Sequence, residues 1–274
     1  ALAINPHDAD THNNLGIVYY EQERIDEAIY SYKKAIIIDP KFAGAFNNLG
    51  HAFCKLNQYK DAADSYEKVL DIKPDHDYIV GNILNTKMNC CNWTDLSNLL
   101  SAAKKRILNN EKAIEPFNIM ALIDNPSLQK QAQELRMIDD HPRSDMLHTI
   151  SIYPKHKKIR IGYFSADFRC HPVGYLTTEL YEVHDRNHFE IHAFSFGKAT
   201  NDKINLRIKA GVDHFHDVDL MSHKDIALLA RSLEIDIAVD LGGLTAEART
   251  DIFAMLAAPI QLSYIGYLGT MGTD

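Results

Sequence analysis

Residues 159–176, IRIGYFSADFRCHPVGYL, decide the fold of the second half of this chain. Ile159, Ile161 and Tyr163 alternate with Arg160 and Gly162, the period of a strand. A polar loop of residues 165–170 comes next, and His171-Pro172 then opens an amphipathic run. Proline suits the first helical position, where its missing N–H costs nothing. The pattern predicts strand, loop and helix, and in an α/β sheet such a loop lies at the carboxyl end of the strand, where ligands bind. Asp167 and His171 are therefore the candidate chemical groups.

Outward from this stretch the alternation continues. Strands are expected at 159–164, 189–196, 213–218, 235–241 and 260–267, with helices at 172–183, 203–210, 222–233 and 247–257 between them. That order implies βαβ units and a parallel, Rossmann-like sheet. The loops SADFRCHP, DLGGLT and GYLGTMG then open on one edge, and their glycines let backbone N–H groups approach a ligand. None of these loops is a GxGxxG or a phosphate loop, so spacing names no cofactor.

Before residue 159 the order is different. Asn13-Asn14-Leu15-Gly16 recurs as Asn47-Asn48-Leu49-Gly50, Tyr19 matches Phe53, Ala28 matches Ala62 and Tyr32 matches Tyr66. Pro6, Pro40 and Pro74 keep the same step of 34 residues. This period identifies tetratricopeptide repeats over residues 1–76, stacked antiparallel helix pairs that bury their apolar stripes against one another. The opening ALAINP matches the end of a repeat's second helix, AIIIDP at 35–40. Further repeats are therefore expected upstream, or the stack leans on the segment after residue 76. Asn14, Asn48 and Asn82 share the register; their amides could grip an extended peptide backbone or simply serve the stack.

Residues 77–150 form a helical connector, with apolar periodicity in LSNLLSAAKKRIL and PSLQKQAQELRMI. Trp93 is expected to wedge two of its helices together. Residues 140–158, with two prolines and a basic end, are expected to link into the α/β domain at 151–274.

Composition narrows the function classes. A formal charge of −8 argues against a nucleic-acid partner. No apolar run approaches the ~18 residues of a membrane helix, and no signal peptide is visible. Cys54, Cys90, Cys91 and Cys170 show no CxxC spacing, which fits reduced thiols in a cytoplasmic protein. His184, His188 and His192 have helical ligand spacing, but 189–196 alternates like a strand, and His214 and His216 lie in a short strand-like segment. Spacing along the chain thus assigns no metal.

The repeats, the CNWTD connector, GYFSADFRCHPV, LGGLTAEARTDIFAMLAAPIQ and YIGYLGTMG together resemble the O-linked N-acetylglucosamine transferase family. The resemblance implies an enzyme of two facing Rossmann-like lobes, inverting and free of metal or other cofactor. It would move N-acetylglucosamine from UDP-N-acetylglucosamine to Ser or Thr of a protein or peptide acceptor. Asp167 and His171 fall on the family's DFxxHP motif. Ile265, Gly266, Leu268, Gly269 and Thr270 fall on the loop lining the sugar, and Arg249 on a GAR-type arginine. Two departures stand out: the loop reads GYLGT where the family has GYPGT, and Phe117 occupies the place of a second histidine found in some members. With Asp274 falling before the second lobe, the chain is expected to be the acceptor-side part. The competing expectation is a repeat scaffold that binds proteins and carries a non-catalytic α/β domain.

Overall fold

The computed structural model describes residues 7–245, 247–267 and 269–272. Two units divide the chain between Leu135 and Arg136.

The first unit is helical. α1 (Ala9–Glu21) pairs with α2 (Ile25–Ile38), and α3 (Ala43–Lys55) with α4 (Tyr59–Ile72). The 34-residue step is repeated atom for atom at the crossings. A Cβ on Gly16 would come within 2.4 Å of Tyr32 Cε1, and one on Gly50 within 2.5 Å of Tyr66 Cε1. Glycine lets each tyrosine ring lie flat against the preceding helix. Both rings are 2% exposed. The turns repeat too, since Glu23 and Asn57, again 34 apart, both take left-handed φ, at 61° and 58°.

Four more helices follow: α5 (Ile79–Asn89), α6 (Leu96–Leu108), α7 (Pro116–Leu122) and α8 (Pro126–Asp140), the last running across the boundary between the units. The two described repeats lean on them. Ala62, Tyr66 and Val69 of α4 share one core with Ile79, Ile83, Leu84, Ile107, Ile119 and Leu128. The expectation for Trp93 is overturned: it is 57% exposed, in the turn between α5 and α6. Left-handed residues on both sides, Cys91 and Asp95, form this turn, while Ile83, Leu84, Ala103 and Ile107 fill the interior.

The second unit is built on a parallel sheet of β1 (Ile159–Ser165), β2 (Phe189–Ser195), β3 (His214–Asp217), β4 (Ile237–Asp240) and β5 (Ile260–Ser263), in the order β3-β2-β1-β4-β5. Helices α9 (Pro172–Val183) and α10 (Lys203–Gly211) cover one face, where Ile161, Tyr163, Ile191, Ala193 and Val239 are buried. Helix α11 (His223–Ser232) and the short α12 (Asp251–Ala254) cover the other, against Phe164, Phe194 and Ala238. Strand order reverses at β1, so the crevice beside β4 is the topological switch point.

The last strand is shorter than its apolar alternation implies. After Ser263, the Tyr264 N–H still bonds Asp240 O at 2.8 Å, but Ile265 then takes φ 63°. Gly266 approaches Leu241 so closely that a Cβ would sit 1.8 Å from its carbonyl oxygen. The chain turns into a loop there. The preceding helix is likewise reduced to four residues.

Residues 141–158 contain no helix or strand, yet they are docked on the sheet unit. Ser144 N–H bonds Ala254 O at 2.9 Å, Arg231 Nη1 donates to His148 O at 2.6 Å, and Leu147 packs against the core under α11. His156 lies between Asp236 and Glu234, 3.0 Å from each carboxylate. All four cysteines are unbridged, and among the described residues no helix is long and apolar enough to cross a membrane.

Candidate active site

The loop after β1 is held from below. Ser165 Oγ accepts from the Asp167 N–H at 2.9 Å, and the buried Asn205 Nδ2 donates to Phe168 O at 2.7 Å. Asp202 caps α10 and also accepts the Cys170 N–H at 3.0 Å; bonds from Asn205 and Cys170 hold its carboxyl far below the usual carboxylate range. Within this frame Asp167 Oδ1 accepts from Arg169 Nε and Nη2, at 3.2 and 3.0 Å, and Arg169 reaches on to Glu247 at 2.8 Å.

Asp167 Oδ2 lies 3.4 Å from His171 Nδ1. The Val173 N–H points at the same nitrogen, also at 3.4 Å, making His171 the N-cap of α9. Two tautomers therefore define two different residues. If Nδ1 carries the proton it donates to Asp167, and Nε2 keeps a lone pair that can accept a proton. If Nδ1 accepts from Val173, Nε2 carries the hydrogen and the ring is only a cap. The imidazole is 39% exposed and the Asp167 carboxylate 14%, so the ring edge reaches solvent while its partner does not.

Asp240, at the end of β4, sits opposite Phe164 in the ladder and thus on the same sheet edge. It is 5% exposed, and its Oδ1 accepts the N–H groups of Gly242 and Gly243 at 2.8 and 3.1 Å. Burial pushes its carboxyl up to about 6, although the two N–H bonds oppose the shift. It lines a cavity of about 460 Å³ with His141, Arg143, Thr250, Tyr267, Gly269 and Thr270. His141 and His223 both bind Asp251, at 2.8 and 3.2 Å.

The structure distributes the other anticipated residues unevenly. Gly269 and Thr270 line this cavity, Leu268 lies outside the described residues, and Ile265 packs against the core under α9 and α10. Gly266 bonds back to Tyr264 O at 2.8 Å. Arg249 points its guanidinium at the carbonyls of Met221 and Val218, at 3.0 and 3.4 Å, and lies over the Phe196 ring, so it fastens the β3–α11 loop. In the repeats Asn14 is exposed and Asn82 half-buried. Asn48 Nδ2 donates to Asn13 Oδ1 at 2.9 Å, which leaves its carbonyl oxygen and second N–H for other partners. Asp240, His141 and Arg143 were not anticipated. For Asp240 a signal existed: a carboxylate ending a buried apolar strand, one residue ahead of Gly242-Gly243.

Comparison with known proteins agrees with this architecture. The family description "Glycosyl transferase family 41" matches residues 131–274, and tetratricopeptide-repeat descriptions match 18–56 and 43–76. A probable UDP-N-acetylglucosamine–peptide N-acetylglucosaminyltransferase of Arabidopsis thaliana is 32% identical over 205 residues, covering 69% of this chain and 21% of that protein. The Caenorhabditis elegans UDP-N-acetylglucosamine–peptide N-acetylglucosaminyltransferase is 35% identical over 119 residues, 42% of this chain and 10% of that protein. A solved O-GlcNAc transferase from Thermobaculum terrenum aligns over 99% of this chain and 46% of its own, at 24% identity and a TM-score of 0.48. The chain thus spans about a fifth of the length of its Arabidopsis relative. Because the family match takes in the whole parallel sheet, its switch-point loops and more than half of the sequence, this chain belongs to glycosyl transferase family 41.

Proposed function

We propose that the protein carrying this chain transfers N-acetylglucosamine from UDP-N-acetylglucosamine to Ser or Thr hydroxyls of proteins, and that this chain supplies the acceptor side. The observation that carries the reading is the solvent-reaching His171 held by a shielded carboxylate at the carboxyl edge of β1. As the acceptor oxygen attacks the anomeric carbon, the bond from that carbon to the UDP oxygen breaks with inversion and UDP leaves with the electron pair. The hydroxyl proton passes to His171 Nε2, while Asp167 holds the Nδ1–H tautomer and stabilises the imidazolium. Gly269 and Thr270, which line the cavity beside Asp240, are the proposed wall against the sugar, and Arg249 fixes the neighbouring loop. No cofactor enters this scheme. The test is transfer from UDP-N-acetylglucosamine to an acceptor peptide by the protein carrying this chain, with and without His171→Ala. Loss of turnover supports the assignment; unchanged turnover returns His171 to capping, and absence of transfer by the unsubstituted protein favours the scaffold reading.

In the repeats, Asn14, Asn48 and Asn82 are the proposed grip on an extended acceptor. Changing Asn14 and Asn48 together to Ala is expected to raise KM for long protein acceptors about five- to a hundredfold, at ~0.5–1.5 kcal/mol per amide. Short peptides should be nearly unaffected. Equal weakening of long and short acceptors would mean that the amides serve only the stack.

A further inference from the structure

At the amino end of the same sheet, away from the loops of the candidate active site, three side chains converge. Glu190 and His192 project from one face of β2, and His214, the first residue of β3, is the ladder partner of His192. Glu190 Oε1 lies 2.8 Å from His214 Nε2 and 3.7 Å from His192 Nε2, and the three donor atoms fall within 4.8 Å of one another. Donors around a tetrahedral ion with bonds near 2.0–2.1 Å stand about 3.3 Å apart, so these spacings straddle a binding geometry.

His192 is 3% exposed, and its Nε2 has no hydrogen-bond partner among the described residues. A buried polar atom without a partner is uncommon and asks for a reason. Its Nδ1 is engaged by His216 Nε2 at 3.1 Å. With the proton on Nδ1, donated to His216, the lone pair of Nε2 faces Glu190 and His214. A hydrogen-bond acceptor on the far nitrogen is the usual arrangement for a metal-bound histidine. Arg160 holds Glu190 by its other oxygen at 3.4 Å and shares its charge with Glu234 at 3.1 Å. His214, 48% exposed, provides the entry path.

We propose that Glu190, His192 and His214 bind a divalent transition-metal cation of the zinc class, water completing the shell, and that the ion clamps edge strand β3 to β2. Two imidazoles with one carboxylate favour such an ion over magnesium or calcium, which take oxygen shells. The site is structural and independent of the transfer chemistry proposed above.

The test is titration of the 274-residue chain with Co²⁺ and Zn²⁺, reading stoichiometry by calorimetry and the visible cobalt bands. One equivalent is expected, with cobalt absorption that His214→Ala and Glu190→Gln abolish. His216→Ala should weaken binding about 10- to 100-fold. His188→Ala, at a side chain 74% exposed and outside the cluster, should change nothing. Circular dichroism of His214→Ala would verify that this exposed position leaves the fold intact. Absence of stoichiometric uptake, or uptake that His214→Ala leaves unchanged because scattered surface histidines account for it, overturns the site.

Discussion

Two histidine–carboxylate pairs in the sheet unit show how the same chemistry serves opposite purposes. His171, in the loop after β1, has one carboxylate at 3.4 Å and a ring 39% exposed. His156, in the strap docked near α11, has carboxylates on both nitrogens at 3.0 Å and is 13% exposed. Two acids on one ring demand that both nitrogens donate, which favours the imidazolium and raises the His156 pKa; the Asp236 bond is the larger cause. A ring committed on both sides has no atom left for a substrate. A ring held on one side keeps one.

The sharpest way to break this contrast is to delete each ring and read turnover and thermal unfolding together. In the protein carrying this chain, His171→Ala is expected to lower kcat by about 10² to 10⁴ while costing at most ~1 kcal/mol of stability as a lost cap. His156→Ala should do the reverse. If His171→Ala reduces stability as much as turnover, the two histidines belong to one structural class.

Next in size is Asp240, which adds to the comparison a buried carboxylate with no ion-pair partner among the described residues. Its folded pKa of about 6 lies above the ordinary value of 3.8, so the folded state holds a proton that the unfolded state has released between these values. Stability therefore falls as pH rises from about 4 to about 6, by up to ~3 kcal/mol at 1.36 kcal/mol per pKa unit. Asp240→Asn, which keeps an acceptor for the two glycine N–H groups, should lack this fall and gain on wild type above pH 6. Denaturant unfolding of both proteins at pH 4.5 and 7 checks it, and parallel curves would show that Asp240 is solvated.

His156 gives the smallest effect and a different window. Because its folded pKa is raised, its contribution is complete below the unfolded value near ~6.5 and is lost as pH climbs through the folded value. His156→Ala should cost about 1–3 kcal/mol at pH 6 and less at pH 8.5. A cost independent of pH would mean that the ring acts by packing alone.

The repeats were legible almost residue by residue, because each of their contacts is made across a short, constant step. Gly16 with Tyr32 and Gly50 with Tyr66 are separated by 16 residues each, so one period predicts both crossings. Even there the copies diverge. Asn13 accepts from Asn48, whereas Asn47, its counterpart 34 residues on, has a buried Oδ1 with no partner among the described residues. After the second repeat comes α5, which shares one core with α4 of that repeat. Trp93 illustrates the same limit, since its large apolar ring gave no sign that left-handed turns would place it in solvent.

By itself the sequence determined the kinds of structure: a 34-residue helical repeat, five alternating strands, and an Asp–His pair just beyond β1. These are local properties, set by side-chain period and by the conformational limits of glycine and proline. Only the tertiary structure decided which groups are shielded and which meet. Asp240 is perturbed because strands on either side and a glycine turn enclose it, and His192 faces His214 because parallel register joins residues 22 apart. Desolvation and convergence are sums over neighbours from distant parts of the chain, and spacing along the chain does not carry them.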